Sequence, residues 1–478
     1  MTATRPAVRS AAITNLGCKV NQSEMEAAAR LLRERGIAVV DGGRRADLVL
    51  VNTCTVTAEA DAKSRHAVRR ARRASPDAHV LVTGCSVQVD RASLAAADPA
   101  ARLIDNRAKD GLLVEVEALV GAGGSGEPVR GLVDRALPTL SGVEIEGIAD
   151  DRAAVERTRA FVKVQDGCSF FCTYCIIPAA RGPERSLAPD VVLADVRRAL
   201  AAGHREIVLT GINIGTYDGG WSERGARRSH VRSVLTLAGL VRRILDETAV
   251  ERIRLSSIEP QHVDDELLRT WVDGAPRTLP HVHLPLQSGD DGVLRRMGRR
   301  YVSADYAATV RRIREAIPGV AIHGDAIVGF PTEDDAAWAR SLGFIRSIDF
   351  AGLHVFRYSA RPGTAATRMR GQVDETTKKR RAGELLALAA EGRAHWAARQ
   401  VGSTANVLIE QRLADGRWTG HAETHVLVAV GDPTIRENDL RRVRLVGIDR
   451  ERPERLIGRP MGAVAAPATA LHGAAHVR

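Results

Sequence analysis

The six cysteines of this 478-residue chain fall into two sets of three. Cys168, Cys172 and Cys175 form C-x3-C-x2-C within Gly167-Cys-Ser-Phe-Phe-Cys-Thr-Tyr-Cys, directly after an apolar run that reads as a strand. Three thiolates on one short loop can hold three corners of a cubane iron-sulfur cluster. Such clusters usually take four cysteines, so three leave one iron open to a cofactor or substrate. A zinc site is the competing reading. Zinc normally takes a fourth Cys or His in closed tetrahedral geometry, and the nearest histidine downstream is His204.

Cys18, Cys54 and Cys85 are 36 and 31 residues apart, a spacing without meaning by itself. Each, however, lies just beyond a predicted strand, in Leu-Gly-Cys, Asn-Thr-Cys and Thr-Gly-Cys. In a doubly wound sheet the carboxyl ends of successive parallel strands lie side by side, at the edge where ligands bind. Three thiols then converge at one place. The alternative is that they are small buried residues in tight turns; a second three-cysteine cluster explains three such coincidences better. Six cysteines are also too sparse for a secreted disulfide scaffold.

The elements that must position these thiols follow from the periodicity. From residue 11 onward short apolar runs alternate with amphipathic stretches, the pattern of βα units and a parallel sheet. Ala11 to Leu16, Asp47 to Asn52 and His79 to Thr83 read as strands, with Asn21 and Ser23 as candidate N-caps of a helix that stops at Gly36. Residues 121–157 lose periodicity and read as a linker. Six further strands are expected at Ala160 to Gln165, Glu206 to Thr210, Arg252 to Ser256, His281 to Leu286, Ile322 to Val328 and Leu353 to Arg357. Six βα units make a partial barrel with functional loops at the strands' carboxyl ends. A charged helix over 374–400 precedes period-two strands around Ala405 to Gln411, His425 to Val430 and Arg442 to Gly447, a small antiparallel β domain. The expected fold is thus α/β, with domains at 10–120, 158–395 and 396–460 and a disordered Ala-rich tail from 461 to 478.

A net charge of +11 and a pI of about 9.8 favour a polyanionic partner such as nucleic acid. Nearly all the basic residues are Arg and the chain is rich in Ala, so a composition bias accounts for the charge equally well. The arginines at 65, 69, 70, 72 and 73 read as a solvated helix face. Arg361 and Lys378 to Arg381 could guide RNA or be another such face. No apolar run reaches the roughly 18 residues of a membrane helix, and Met1 to Ser10 lacks the apolar segment of a leader. A cytoplasmic protein with no membrane partner is expected.

Together the two cysteine sets resemble those of the methylthiotransferase family of radical S-adenosylmethionine enzymes, from about residue 11 to 458. Within it the chain is similar to the branch acting on threonylcarbamoyladenosine at position 37, beside the tRNA anticodon. The carrying segments are Leu16-Gly-Cys-Lys-Val-Asn-Gln22, Leu209-Thr-Gly-Ile-Asn-Ile-Gly-Thr-Tyr217, Arg254-Leu-Ser-Ser-Ile-Glu-Pro260, His283-Leu-Pro-Leu-Gln-Ser-Gly289 and Leu353-His-Val-Phe356. The isopentenyladenosine branch usually has Gly-Cys-Gln-Met-Asn at the first of these and the ribosomal-protein branch Gly-Cys-Pro-Lys-Asn. Departures lie in Ile177 to Leu187, at Gly289-Asp290 and in Gly329-Phe-Pro-Thr-Glu333.

The resemblance implies an N-terminal methylthiotransferase domain, a radical barrel and a C-terminal TRAM-like barrel that binds RNA. It implies two 4Fe-4S clusters. Cys168, Cys172 and Cys175 would hold the catalytic one, whose open iron chelates S-adenosylmethionine, and Cys18, Cys54 and Cys85 the auxiliary one. Tyr174, Gly211, Asn213, Ser256, Glu259, Gln287 and Ser288 are the candidate S-adenosylmethionine contacts, with packing the alternative for Tyr174 and an ion pair with a neighbouring Arg for Glu259. His283 reads as a core histidine. Partners would be tRNA and a reduced flavodoxin- or ferredoxin-like donor. The rivals are the same chemistry on isopentenyladenosine or a ribosomal protein, and a non-catalytic metal-bearing RNA-binding protein.

Overall fold

The computed structural model describes residues 8–106, 110–121, 158–220 and 235–463. The first unit is a parallel sheet of β1 (Ser10–Asn15), β2 (Ala38–Asp41), β3 (Leu48–Thr53), β4 (His79–Gly84) and β5 (Arg102–Leu103), in the order β2-β1-β3-β4-β5. β3 is buried along its whole length, as a central strand covered on both faces must be. Leu48 and Leu50 pack with Met25 and Leu32 of α1 (Lys19–Glu34). Val49 and Val51, pointing the other way, pack with Val68 and Ala71 of α2 (Ala58–Ala74). The sheet is therefore doubly wound. Asn21 and Ser23 do not cap α1: the helix begins at Lys19, and Asn21 is drawn inward, donating to Asn52 Oδ1 at 3.0 Å and Thr53 O at 3.2 Å.

The second unit holds the six-strand open barrel. β6 (Arg159–Lys163) is followed by the short pair β7 (Gln165–Asp166) and β8 (Arg185–Ser186), then β9 (Glu206–Thr210), β10 (Arg252–Leu255), β11 (His281–His283), β12 (Ala321–Val328) and β13 (Gly352–Arg357). Two parallel sheets, β10-β9-β6 and β11-β12-β13, are joined by a bridge between Ser257 and His283. Ala160, Val162, Ile207, Leu209, Ile253, Leu255 and Ile322 share one apolar core under the helices. The alternate positions are polar: Arg159, Lys163, Glu206, Arg252, Arg254, His281, His283, His323, Asp325 and His354 line the inner face.

The long helix Glu375–Gln400 leads to a closed barrel of β14 (Thr404–Arg412), β15 (Trp418–His421), β16 (Leu427–Val430), β17 (Leu440–Ile448) and β18 (Arg455–Ala463), in the order β14-β15-β16-β18-β17. It departs from a wholly antiparallel barrel in one place, since β16 and β18 run parallel. β15 and β18 escape sequence reading because Trp-Thr-Gly-His shows no clear alternation and Pro460 interrupts the other. The edge strands β2 and β5 escape because four and two residues are too few to carry a period. The expected linker beyond Gly121 and the tail beyond Ala463 lie outside the described residues.

This third unit docks on the barrel through buried charge. Glu206, fully buried, lies between Arg252 Nε at 2.8 Å and Arg254 Nε at 2.9 Å. Burial opposes its charge, but Arg254 and Arg252 hold its carboxyl well below the usual range. The same guanidinium groups reach the carbonyls of Asn406 (2.8 Å), His421 (3.2 Å) and Glu423 (3.2 Å), and Arg159 pairs with Glu410 at 2.7 Å.

Candidate active site

The register of the first sheet sets Asn15 beside Asn52 and Thr53 beside Gly84. Cys54 and Cys85 therefore leave neighbouring strands at the same level, and Cys18 follows β1 by one turn. Gly84 has φ +103°, and a Cβ there would sit 2.3 Å from Thr53 O, so only glycine lets β4 deliver Cys85 at this point. The three thiols are close enough to act on one another: burial pushes Cys54 up to about 12, with Cys85 and Cys18 adding to it. Ser86 Oγ donates to Cys54 O at 2.6 Å, tying two of the three turns together.

The second set sits on the loop after β7. Gly167, at φ +72°, brings its backbone so near Pro183 that a Cβ would lie 2.0 Å from Pro183 O. Cys168 N donates to Gly182 O, Cys175 N to Cys172 O, and Thr173 N and Oγ1 to Met297 O and Arg296 O. The loop is thus pinned at both ends and in the middle. Burial raises Cys168, and it pushes Cys175 up to about 12. All six cysteines are free thiols.

Donor chemistry tests what these thiols fit. Among the described residues, the three-residue sets whose donor atoms all lie within 4.8 Å of one another are His281/His323/His425 and His283/Asp325/His354. Neither thiol set is drawn that close, whereas sulfurs on a single tetrahedral zinc would be. Wider-set thiols with no fourth ligand among them fit a polynuclear cluster with one iron open. Loading must release protons from Cys54, Cys168 and Cys175, which burial keeps neutral.

One junction carries both sets. The short helix Ile177–Arg181 that follows Cys175 packs against the turn of Cys85. Asn106 Nδ2 donates to Ala180 O at 2.9 Å and lies 3.4 Å from Cys85 Sγ. Arg181 Nη1 lies 2.8 Å from Asp166 Oδ1 and 3.3 Å from Glu24 Oε1, and Nη2 donates to Asn21 Oδ1. Burial works against its charge, but Asp166 and Glu24 outweigh it and hold the guanidinium protonated. Arg361, read as either an RNA guide or part of a solvated face, is buried instead and binds Thr55 and Asp61 across the same two units. Lys378 and Arg381 are likewise buried, on Glu375 and Glu333, leaving Lys379 and Arg380 on the surface.

Gly211, Asn213, Ser256, Glu259 and Gln287 all follow inner-barrel strands at their carboxyl ends. Both amide atoms of Asn213 and the hydroxyl of Ser256 are buried without a protein partner, which leaves polar positions for a bound cofactor. A Cβ on Gly211 would come within 3.0 Å of Gln165, whose Oε1 accepts from Ile212 N and Asn213 N. Glu259 pairs with Arg299, which also lies 3.6 Å from Cys172 Sγ and 3.5 Å from the Tyr174 hydroxyl. Tyr174 packs edge-on against Phe330. Gln287 is at φ +71°, and Ser288 is turned to the Asp290 amide and Ser341. His283 is satisfied by Asp325 at 2.9 Å.

Sequence reasoning missed Arg181, Asn106, Gln165 and Arg299. Gln165 alone carried a signal, being polar at a strand's carboxyl end. Lys19 was read as the residue that sets the first motif apart from the isopentenyladenosine and ribosomal-protein branches. It is exposed, and Arg159, Arg254 and Asp325 are among the charges that act on it. Enclosure by protein, then the two guanidinium groups, pull its pKa down to about 8.

Comparison with known proteins agrees with this geometry. Residues 10–105 match the family model described as Uncharacterized protein family UPF0004, and residues 162–345 match the Radical SAM superfamily. The radical S-adenosylmethionine methyltransferase TsrM of Kitasatospora setae shares the fold, with a TM-score of 0.52 at 15% identity over 75% of this chain and 77% of that one. The threonylcarbamoyladenosine tRNA methylthiotransferase MtaB of Bacillus subtilis is 37% identical over 79% of each chain. The enzyme of the same name from Chlamydia pneumoniae is 35% identical over 93% of this chain and 96% of its own. A tRNA-2-methylthio-N(6)-dimethylallyladenosine synthase from Syntrophobacter fumaroxidans is 30% identical over 93% and 94%. Fold and thiols together define a radical S-adenosylmethionine enzyme. The chain belongs to the tRNA methylthiotransferase family that includes MtaB.

Proposed function

We propose that this enzyme converts N6-threonylcarbamoyladenosine at position 37 of tRNA, next to the anticodon, to its 2-methylthio derivative. The observation that carries the reading is that two separate three-thiol sets meet at one domain junction, held there by Arg181 and Asn106. The relatives named MtaB support the choice of base.

Cys168, Cys172 and Cys175 would hold a 4Fe-4S cluster, which would supply the electron for cleavage of S-adenosylmethionine, and Cys18, Cys54 and Cys85 would hold a second, which would serve sulfur transfer. The chain's own residues do the rest. Arg299 sets a cation 3.6 Å from Cys172 Sγ and is itself held by Glu259. Gln165 fixes the turn carrying Asn213, so that its free amide and the free Ser256 hydroxyl are presented to the cofactor. On the C-terminal barrel the exposed Arg442, Arg444 and Arg459 of β17 and β18 offer positive charge to RNA phosphates. Among the described residues no helix is long and apolar enough to cross a membrane. The working partners are tRNA and a reduced flavodoxin- or ferredoxin-like donor, in the cytoplasm.

The test is nucleoside mass spectrometry after anaerobic incubation of the reconstituted protein with S-adenosylmethionine, reductant and tRNA carrying threonylcarbamoyladenosine, with an isopentenyladenosine tRNA alongside. A methylthio product from the first tRNA is expected. Deoxyadenosine without either product overturns the assignment of substrate.

A further inference from the structure

Two inner-face side chains of β13 are left open where much of that face is covered. Leu353 and Val355 turn outward into the apolar core under the helices, so strand alternation turns His354 and Phe356 inward. Contacts place the first of them there: His354 Nδ1 lies 3.0 Å from Asp325 Oδ1, and its ring centroid lies 5.3 Å from that of His283. Phe356 pairs with Ile327, two residues beyond Asp325 on β12. Glu206, Arg252 and Arg254 on the same face are sealed beneath the third unit. The His354 side chain, by contrast, is 61% exposed and Phe356 is 44% exposed. A lone exposed phenylalanine on an outer surface needs no explanation. One that sits beside an exposed imidazole inside a barrel does.

This shelf adjoins both thiol sets. Ile327 packs in one apolar cluster with Tyr174, which stands between Cys172 and Cys175. Just past β13, Ser359 Oγ accepts from Ala58 N at 3.0 Å and Arg361 donates to Thr55 Oγ1, so the strand runs onto the turn that carries Cys54. The polar end of the shelf is equally defined. Burial opposes a charge on Asp325, but the bonds from His283 and His354 hold its carboxyl well below the usual range. An ionised carboxylate only accepts, so each imidazole gives it a hydrogen, and Nε2 of His354 is left for a ligand.

We propose that Phe356 and His354 receive the target base: the purine stacks on the Phe356 ring, and a polar group of its N6 substituent bonds to His354 Nε2. The inference rests on the tRNA reading above and names the residues that hold its substrate. Successive inner-face positions of a strand lie about 7 Å apart, so a base over the one ring carries its exocyclic group to the other. Stacking accepts any base and supplies hold; the imidazole supplies choice. Neutral, Nε2 accepts from a hydroxyl or N–H; protonated, it donates to an oxygen. A threonylcarbamoyl group offers both kinds of partner and a dimethylallyl group neither.

The experiment measures binding of three anticodon stem-loops to the cluster-loaded protein without S-adenosylmethionine. They carry threonylcarbamoyladenosine, isopentenyladenosine or an abasic site at the target position. Phe356→Leu should weaken both base-bearing stem-loops about 10- to 100-fold, the range for one stacked base, and leave the abasic one unchanged. Phe356→Trp should bind as the wild type does. His354→Leu should cut the preference for threonylcarbamoyladenosine over isopentenyladenosine about 3- to 10-fold, the range of one hydrogen bond, by weakening the first alone. Unchanged affinities in Phe356→Leu, or an equal loss on the abasic stem-loop, overturn the stacking, and an unchanged preference in His354→Leu overturns the choice; either refutes the proposal while leaving the activity standing. If a leucine variant fails to take up iron, the wild type and Phe356→Trp decide, and a wild type indifferent to the base or to its substituent refutes the proposal. A wild type that methylthiolates no threonylcarbamoyladenosine tRNA instead removes the function on which the inference rests.

Discussion

Arg181→Met tests whether the junction is what unites the two thiol sets. Methionine keeps most of the length and bulk, so the change removes charge and donors from a side chain that is 2% exposed. Asp166 and Glu24 are left with Lys163, whose Nζ lies 3.5 Å and 3.3 Å from them, and with the more exposed Arg185, 3.7 Å from Asp166. Breaking a buried pair costs about 3–5 kcal/mol. Because Lys163 still answers part of the charge, the lower end applies, and about 3 kcal/mol is a shift of roughly 100-fold in the docking equilibrium. In a chain of several units that cost falls on the junction rather than on global unfolding. Hydrogen exchange in α1 and in Ile177–Arg181 should quicken accordingly. Reductive cleavage of S-adenosylmethionine should survive, while the methylthio product falls. Adding Asp166→Asn removes one stranded charge and should recover part of the loss, a coupling that a cycle of single and double variants measures. Unchanged exchange in α1 together with an unchanged product yield would show that the guanidinium does not hold the junction.

Cys172→Ala should abolish deoxyadenosine formation, whereas Cys54→Ala should leave it measurable and stop sulfur insertion; normal thiolation by the Cys54 variant would refute the convergence of the three strand-end thiols. Glu206→Gln strands two buried guanidinium groups and should loosen the C-terminal barrel by about 3–5 kcal/mol, seen as faster proteolysis after Gln400; wild-type resistance would count against it. Burial lowers His323 to about 3 and also sets His281 and His425 well below the usual histidine value. These imidazoles are neutral in the fold, so their contribution is complete above the unfolded pKa of about 6.5 and is lost as pH falls from there toward 3, by up to about 1.4 kcal/mol per pH unit for each. The thermal midpoint should therefore drop between pH 6.5 and 5, and His323→Leu should flatten the slope; parallel profiles for the two proteins would refute the assignment.

The fold was legible where one periodicity acted alone. β3 and β4 announce themselves as apolar runs, and the thiols after them are placed by strand order without any long-range information. The six strands of the open barrel were readable from their outward residues, such as Ile207, Leu209, Ile253 and Leu255. Their inward partners gave no such signal. Glu206, Arg252 and Arg254 look in sequence like solvent-facing positions of half-exposed strands, and only the closure of the third unit over them makes them buried. Arg361 and Arg381 mislead for the same reason: a charged side chain reads as surface until a carboxylate from a distant segment meets it. Arg181 and Asn106 act across 74 to 160 residues of sequence, where no local pattern can speak.

The same contrast explains why both flanking units are fastened by charge. An apolar interface tolerates sliding, because burial is not directional. A guanidinium between two carboxylates admits one arrangement. On the N-terminal side Arg181, Lys163, Glu24 and Asp166 form such a lock, with Arg361 and Asp61 as a second; on the C-terminal side Glu206 with Arg252 and Arg254 forms another. Replacing them by hydrocarbon could well raise stability, so stability alone is a weak reason for them. Register is a better one. Two thiol sets contributed by different units, and a barrel contributed by a third that we propose holds the RNA, can serve one nucleotide only if their relative positions are fixed. Pairs that are 0–6% exposed hold that register against salt, which screens surface pairs far more than buried ones.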